Sequence, residues 1–207
     1  IDDLESFNIK TTIHAPLSDI NLASHNQAIR KASVQQMKNS MDLARNLDAE
    51  VVVVHPGQMP ILRRDLEEAI LGYNLESLAE CADYAKDCGV IMCVENMPRI
   101  EGLLFQDLED LDRLVREIDA HITLDVGHAH NNGIPTAEML RSSRVKHVHL
   151  SDNDGSFDQH DALGSADIDF KSLMRDLQKK NFQGILVVEV KSAKDVEPSL
   201  SYLKDLM

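Results

Sequence analysis

Nine side chains in this sequence are candidate ligands for divalent cations: His14, His55, Glu95, Asp125, His128, His149, Asp158, His160 and Glu189. All offer oxygen or nitrogen, and imidazole mixed with carboxylate suits Zn, Mn, Fe or Co. A catalytic zinc takes about three protein ligands plus water, so this set exceeds the needs of one ion and points to two or three per chain. Ions held this way acidify water, polarise a carbonyl or clamp a phosphate. The three cysteines, Cys81, Cys88 and Cys93, lack metal-ligand spacing and read as reduced structural thiols.

Position makes the set more than a composition effect. Six β-branched or apolar runs read as strands: Lys10 to His14, Val51 to His55, Val90 to Glu95, His121 to Asp125, Val145 to Leu150 and Ile185 to Val190. Nearly every run carries a ligand-type residue at its C-terminal end. Side chains alternate along a strand, so Val51, Val53 and His55 share a face, as do Ile91, Cys93 and Glu95, then His121, Thr123 and Asp125, then Val187 and Glu189. Each strand then supplies a small or apolar layer below one polar group at the rim.

A single strand-end histidine is usually a satisfied core or surface residue, and only the joint pattern carries weight here. Glu95 and Glu189 close apolar strands, where an uncompensated charge is costly, so a cation or a basic partner is required. Asp125 and His128, in LDVGHAH, are spaced to reach one rim from a strand end. His147 and His149 share a face, and His149 is the preferred ligand because it lies nearer the rim. Asp158 and His160 sit in a loop, where solvated side chains are ordinary. His25, His121 and His130 receive no role, although His130 is the one of these best placed to approach the site.

Between the strands lie amphipathic stretches. Val34, Met37, Met41 and Ala44 recur at helical spacing, as do Leu71, Leu75, Leu78, Ala82 and Ala85. Strict alternation of strand and helix predicts an α/β fold with a parallel sheet, either an open doubly wound sheet or a closed (β/α)8 TIM barrel. Ligands at the ends of many strands favour the barrel, and no glycine-rich dinucleotide or phosphate-loop fingerprint follows any strand. Long connections are expected around Asn131 to Thr136 and Asn153 to Asp167. Residues 1–207 read as one domain, with no low-complexity tract to mark a boundary. A full barrel of about 250 residues would exceed this length by roughly one βαβ unit. Ile1 to Phe7 reads as the tail of a helix feeding the first run, with one or two strands expected upstream.

The formal charge of −14 argues against a broad basic surface for nucleic acid. Clustered divalent cations would reverse the sign locally, so DNA stays open as a substrate without support from net charge. No apolar run reaches the roughly 20 residues of a membrane helix, and the expected location is cytoplasmic, with no membrane partner.

His14, VVVVHPG, CVENMP, LDVGHAHNNG, HVHLSDN, DQHDALGSADID and LVVEV together resemble the xylose isomerase-like TIM-barrel superfamily (AP endonuclease family 2), and within it the endonuclease IV family. The likeness runs almost the length of the chain. It implies a metal-dependent hydrolase cutting DNA phosphodiesters, with a role in DNA repair. It also implies three zinc ions: one held by His14, His55 and Glu95, a second by Glu95, Asp125, His149 and Glu189, and a third by His128, Asp158 and His160. The sugar and sugar-phosphate isomerases and epimerases of the superfamily use a smaller set, matched by Glu95, Asp125, His149 and Glu189. One departure is plain: an aromatic residue that helps distort DNA follows the first histidine in endonuclease IV, whereas this chain continues Ala15, Pro16, Leu17 and has no tryptophan.

Two mechanisms therefore stand beside each other, with Glu95, Glu189 and His128 as the candidate catalytic residues. In hydrolysis, clustered ions activate water, and three of them against four carboxylates leave the cluster at about +2, attractive to a phosphoester. In isomerisation or epimerisation, one ion polarises a sugar while Glu95 and Glu189 exchange a proton from opposite sides. The complete ligand set favours the first; the acidic surface and sparse aromatics favour the second. A non-catalytic metal-binding barrel is a third class, for which a ring of rim ligands is excessive.

Overall fold

The computed structural model describes residues 9–59 and 64–207. The helix tail expected over Ile1 to Phe7 lies outside the described residues. Six strands are present among them: β1 (Thr12–His14), β2 (Val51–Val54), β3 (Ile91–Glu95), β4 (His121–Asp125), β5 (Val145–Leu150) and β6 (Ile185–Val188). Seven α-helices accompany them: α1 (Gln27–Asn46), α2 (Glu67–Cys88), α3 (Leu108–Glu117), α4 (Val126–Asn131), α5 (Thr136–Met139), α6 (Phe170–Lys179) and α7 (Val196–Leu206). The described residues fall into two compact units, the first reaching Val94 and including Leu114–His121, the second comprising Glu95–Arg113 and Ile122–Met207.

In the first unit β1 pairs in parallel with β2, and β2 with β3, with Thr12 opposite Val51 and Val51 opposite Ile91. All four residues of β2 are buried, as a strand covered on both faces requires. The alternation expected from sequence holds, since Val51, Val53 and Cys93 form one buried cluster with Ile91 packed against it. Helix α1 buries Val34, Met37, Met41 and Ala44 and begins at Asn26, whose side chain accepts the Ala28 N–H and so satisfies one of the orphan donors of the first turn. Helix α2 ends at Gly89, held at φ 72°, where a side chain would strain the left-handed turn. Of its expected stripe Leu78, Ala82 and Ala85 are buried and Leu75 is half-buried, whereas Leu71 is exposed and Ile70, Asn74, Ser77 and Cys81 also face inward. Asn74 tolerates burial because its Nδ2 donates to the Pro56 carbonyl at 2.5 Å.

In the second unit β4, β5 and β6 are again parallel and in chain order, with Asp125 opposite His149 and His149 opposite Val187. The Glu189 N–H donates to the Leu150 carbonyl at 2.9 Å, which carries the β6 strand line one residue past its ladder. Asn131 ends α4 and Thr136 begins α5, so the connection expected there is short; the long one, residues 151–169, follows β5. The three cysteines are buried. Among the described residues no helix is long and apolar enough to cross a membrane.

Gly184 immediately precedes β6, and a Cβ there would collide with the Lys146 carbonyl and the Phe182 ring. The backbone oxygen cannot move without disturbing β5. Gly184→Ala is therefore expected to cost about 1–3 kcal/mol of stability, as overpacking does, measurable by urea unfolding. An effect within about 0.5 kcal/mol, the size of an ordinary surface substitution, would contradict this packing.

Candidate metal centre

Within the second unit the strand ends bring two groups of ligand-type atoms together. Glu95, Asp125, His149 and Glu189 form one, and His128, Asp158 and His160 the other; inside each group the chosen ligand atoms all lie within 4.8 Å of one another. In the first, His149 Nδ1 stands 2.9 Å from Glu189 Oε2, 3.2 Å from Glu95 Oε1 and 3.7 Å from Asp125 Oδ2. In the second, Asp158 Oδ2 lies 3.2 Å from His128 Nε2 and 2.9 Å from His160 Nε2. The groups adjoin, since His128 Nδ1 is 3.6 Å from Glu95 Oε1 and 3.8 Å from Asp125 Oδ1.

Local structure fixes these positions. Asp125 ends β4 and is at once the N-cap of α4, its Oδ1 accepting the His128 N–H at 2.7 Å. One carboxylate thus orients its own strand end and the first turn that carries His128. Asn96, which the sequence reading passed over, clamps the same corner: its Nδ2 donates to the Asp125 carbonyl at 2.9 Å and its Oδ1 accepts the Asp125 N–H at 2.8 Å. The Asn96 carbonyl lies 2.8 Å from His128 Nδ1. A carbonyl can only accept, so Nδ1 carries the hydrogen and the Nε2 lone pair is directed toward Asp158 once the ring is neutral. His160 repeats the pattern, with Nδ1 3.0 Å from the Glu189 carbonyl. In the first unit His14 Nδ1 lies 2.8 Å from the Ala15 carbonyl, and the His14 and His55 rings meet edge to face with centroids 5.0 Å apart.

Two further histidines stand near these groups. His147 is buried beneath His149, ring centroids 5.0 Å apart, and belongs to neither group. His130 turns its Nδ1 to Asn153 Oδ1 at 2.8 Å and also stays outside both.

These groups fit a metal. Asp125 Oδ2 and Asp158 Oδ1 are buried and receive no hydrogen bond among the described residues, a costly arrangement for a carboxylate that a cation would relieve. Without an ion, protons take its place. Burial alone would disfavour charged imidazoles, but Asp125, Asp158 and Glu95 outweigh it at His128, which rises to about 10. Burial is likewise overcome at His149 by its hydrogen bonds to Glu189 and Glu95, again reaching about 10. The Asp158 hydrogen bond lifts His160 to about 9. Burial pushes Asp125 up to about 6, partly offset by His128. At Asp158 the same burial is overcome by His128 and His160, which hold the carboxyl well below its usual range.

Metal uptake must therefore expel protons. At pH 7 the three imidazoles are protonated, and an ion needs them neutral, so apparent affinity should climb steeply from pH 6 to pH 9, up to tenfold per displaced proton per pH unit. Calorimetric titration with Zn2+ in buffers of different ionisation enthalpy should detect the released protons. A flat affinity over that range would contradict the assignment.

Comparison with known proteins agrees with this architecture. A family model described as a xylose isomerase-like TIM barrel matches residues 2–206. The uncharacterised protein MJ1311 of Methanocaldococcus jannaschii is 35% identical over 210 residues, covering 98% of this chain and 72% of the relative. A solved D-tagatose 3-epimerase-like protein is 34% identical, with a TM-score of 0.93 over 99% of this chain and 79% of its own. A probable endonuclease 4 of Malacoplasma penetrans is 25% identical over 181 residues, 79% of this chain and 61% of the relative. Parallel strands in chain order, ligand-type residues at their ends and a family model running nearly end to end make this chain a member of the xylose isomerase-like TIM-barrel family.

Proposed function

We propose that this chain is a multi-metal phosphoester hydrolase of the endonuclease 4 kind. The observation that carries the reading is the presence of two adjoining groups of metal-capable side chains in one unit, where acid–base work on a sugar needs only the group around His149. Glu95, 1% exposed, faces His149 of one group and His128 of the other, the position of a bridging carboxylate.

Divalent ions, zinc foremost, would supply Lewis acidity that lowers the pKa of water and neutralises charge developing on a phosphate. The chain's own residues do the rest. Asp125 and Glu95, almost wholly buried, fix the floor. Glu189 and His160 are the accessible members, with side chains 37% and 28% exposed, and are the groups a substrate meets first. Asn96 and the Glu189 carbonyl hold the two imidazoles in one tautomer, so no reorganisation is needed when a phosphoester arrives.

A second reading, sugar epimerisation, is favoured by Glu95 and Glu189 approaching one imidazole from two strand ends and by the likeness to the D-tagatose 3-epimerase-like structure. In that reading the two glutamates remove and return a proton on opposite faces of a ketose or sugar phosphate. Metal analysis with paired assays separates them. Two or more ions per chain with cleavage of abasic DNA support hydrolysis, whereas one ion with ketose turnover and inert DNA reverses the conclusion.

A further inference from the structure

We propose that Asp152 is a positioning residue that holds the loop bearing Asp158 and His160 in ligating geometry; this rests on the multi-ion reading. Asp152 follows β5 and is fully buried. Among the described residues every hydrogen bond to its carboxylate comes from a backbone N–H. Oδ1 accepts from Asn153 at 3.0 Å and Ile168 at 3.2 Å, and Oδ2 from Gly164 at 2.9 Å and Ala166 at 3.0 Å. Its own backbone pairs reciprocally with Asp161, N–H to carbonyl, at 3.1 and 3.0 Å. Both ends of the loop are thereby drawn onto one residue, and Asp158 and His160 lie between the ties.

The loop needs such a fastening. Long loops are entropically expensive to order, and a ligand set delivered by a slack one loses affinity because the ion must then supply that ordering. His160 also sits at φ 51°, a left-handed conformation that a side chain adopts only when its surroundings impose it. Those surroundings are on either side: His160 Nδ1 donates to the Glu189 carbonyl, the Lys191 N–H donates to the His160 carbonyl at 3.1 Å, and Lys191 Nζ meets Asp161 Oδ1 at 2.6 Å. The four bonds to an anionic acceptor are charge-assisted, which makes the Asp152 carboxylate the strongest of these fastenings. Among the described residues its carboxylate makes no hydrogen bond to His128, Asp158 or His160, so it acts on an ion through the loop.

The test uses the chain as it stands, with Co2+ as the probe. Wild-type protein titrated with Co2+ should show more than one absorption phase, and the phase missing from His160→Ala identifies the group of His128, Asp158 and His160. Asp152→Asn keeps the size of the side chain but turns an NH2 toward two donors. It is expected to weaken that phase by about 10–100-fold, the scale of outer-shell changes at metal sites, while the Glu95 and His149 phase moves by less than about 2-fold. Hydrogen exchange on metal-free wild type gives an arm independent of whether the variant folds: the amides of Gly164, Ala166 and Ile168 should be protected before any ion is added. An unaltered His160-dependent phase in Asp152→Asn overturns the role of Asp152 alone, and so does equal loss of every phase. Amides that become protected only on adding Co2+ also overturn it, because the ion would then order the loop. Absence of a His160-dependent phase in wild type overturns the multi-ion reading as well.

Discussion

Glu95→Gln is expected to lower turnover by about 10²–10⁴-fold, the range seen when a group acting directly on the reacting atoms is removed, and to reduce bound metal. The exchange is isosteric, so the effect follows from chemistry rather than volume. Glu95 is 1% exposed, and its Oε1 lies 3.2 Å from His149 and 3.6 Å from His128. An amide there loses the negative charge that draws cations to both groups and offers one weak oxygen donor in place of two. Metal analysis and single-turnover rates on the same preparation check both halves of the expectation. Near-normal metal and near-normal rate would reject the bridging role.

His160→Ala has the second largest expected effect and the greater power to discriminate. His160 is 2.9 Å from Asp158 and, through Asp158, belongs to the group that sugar chemistry does not need. Its side chain is 28% exposed, so truncation opens a space that water can fill and leaves no sealed cavity. For a hydrolase the variant should lose one ion equivalent and about 10²–10³-fold in rate, comparable to deleting one stabilising contact to a developing charge. For an epimerase ketose turnover persists, because the group around His149 does not include His160. Loss of rate with full metal retention would fit neither and would remove His160 from the ligand set.

The candidate residues most legible in the sequence are those at the ends of buried parallel strands. There the two-residue repeat, the apolar layer below and the cost of an unpaired buried charge all select the same atoms, which is why Glu95, Asp125 and His149 were legible and why His149 could be preferred to His147. Where several expected strands run too far, they do so at their ends: Lys10, Thr11, His55, Val90, Glu189 and Val190 fall outside the ladders. His55 lies one residue past the β2 ladder, while Glu189 keeps one strand-like bond, its N–H to the Leu150 carbonyl, beyond the β6 ladder. Asn96 and Asp152 were missed because asparagine or aspartate after a strand reads as turn chemistry, and only coordinates show their polar atoms aimed back at the backbone of ligand segments. Helix α4 escaped notice for a related reason: its six residues, VGHAHN, carry no apolar period, and the helix starts because Asp125 caps it.

Under the multi-ion reading Asp125 has a dual duty, as ligand and as cap of α4, which constrains how the ion could be exchanged for another. Exchanging Asp125 for histidine or cysteine, the obvious route to a softer coordination sphere, would also uncap α4 and release the turn that carries His128, so selectivity and architecture cannot be altered separately at that corner. Glu189 begins no helix and its side chain is 37% exposed, which under the same reading makes it the proposed ligand position where a redesign of metal preference, natural or engineered, can start without uncapping a helix.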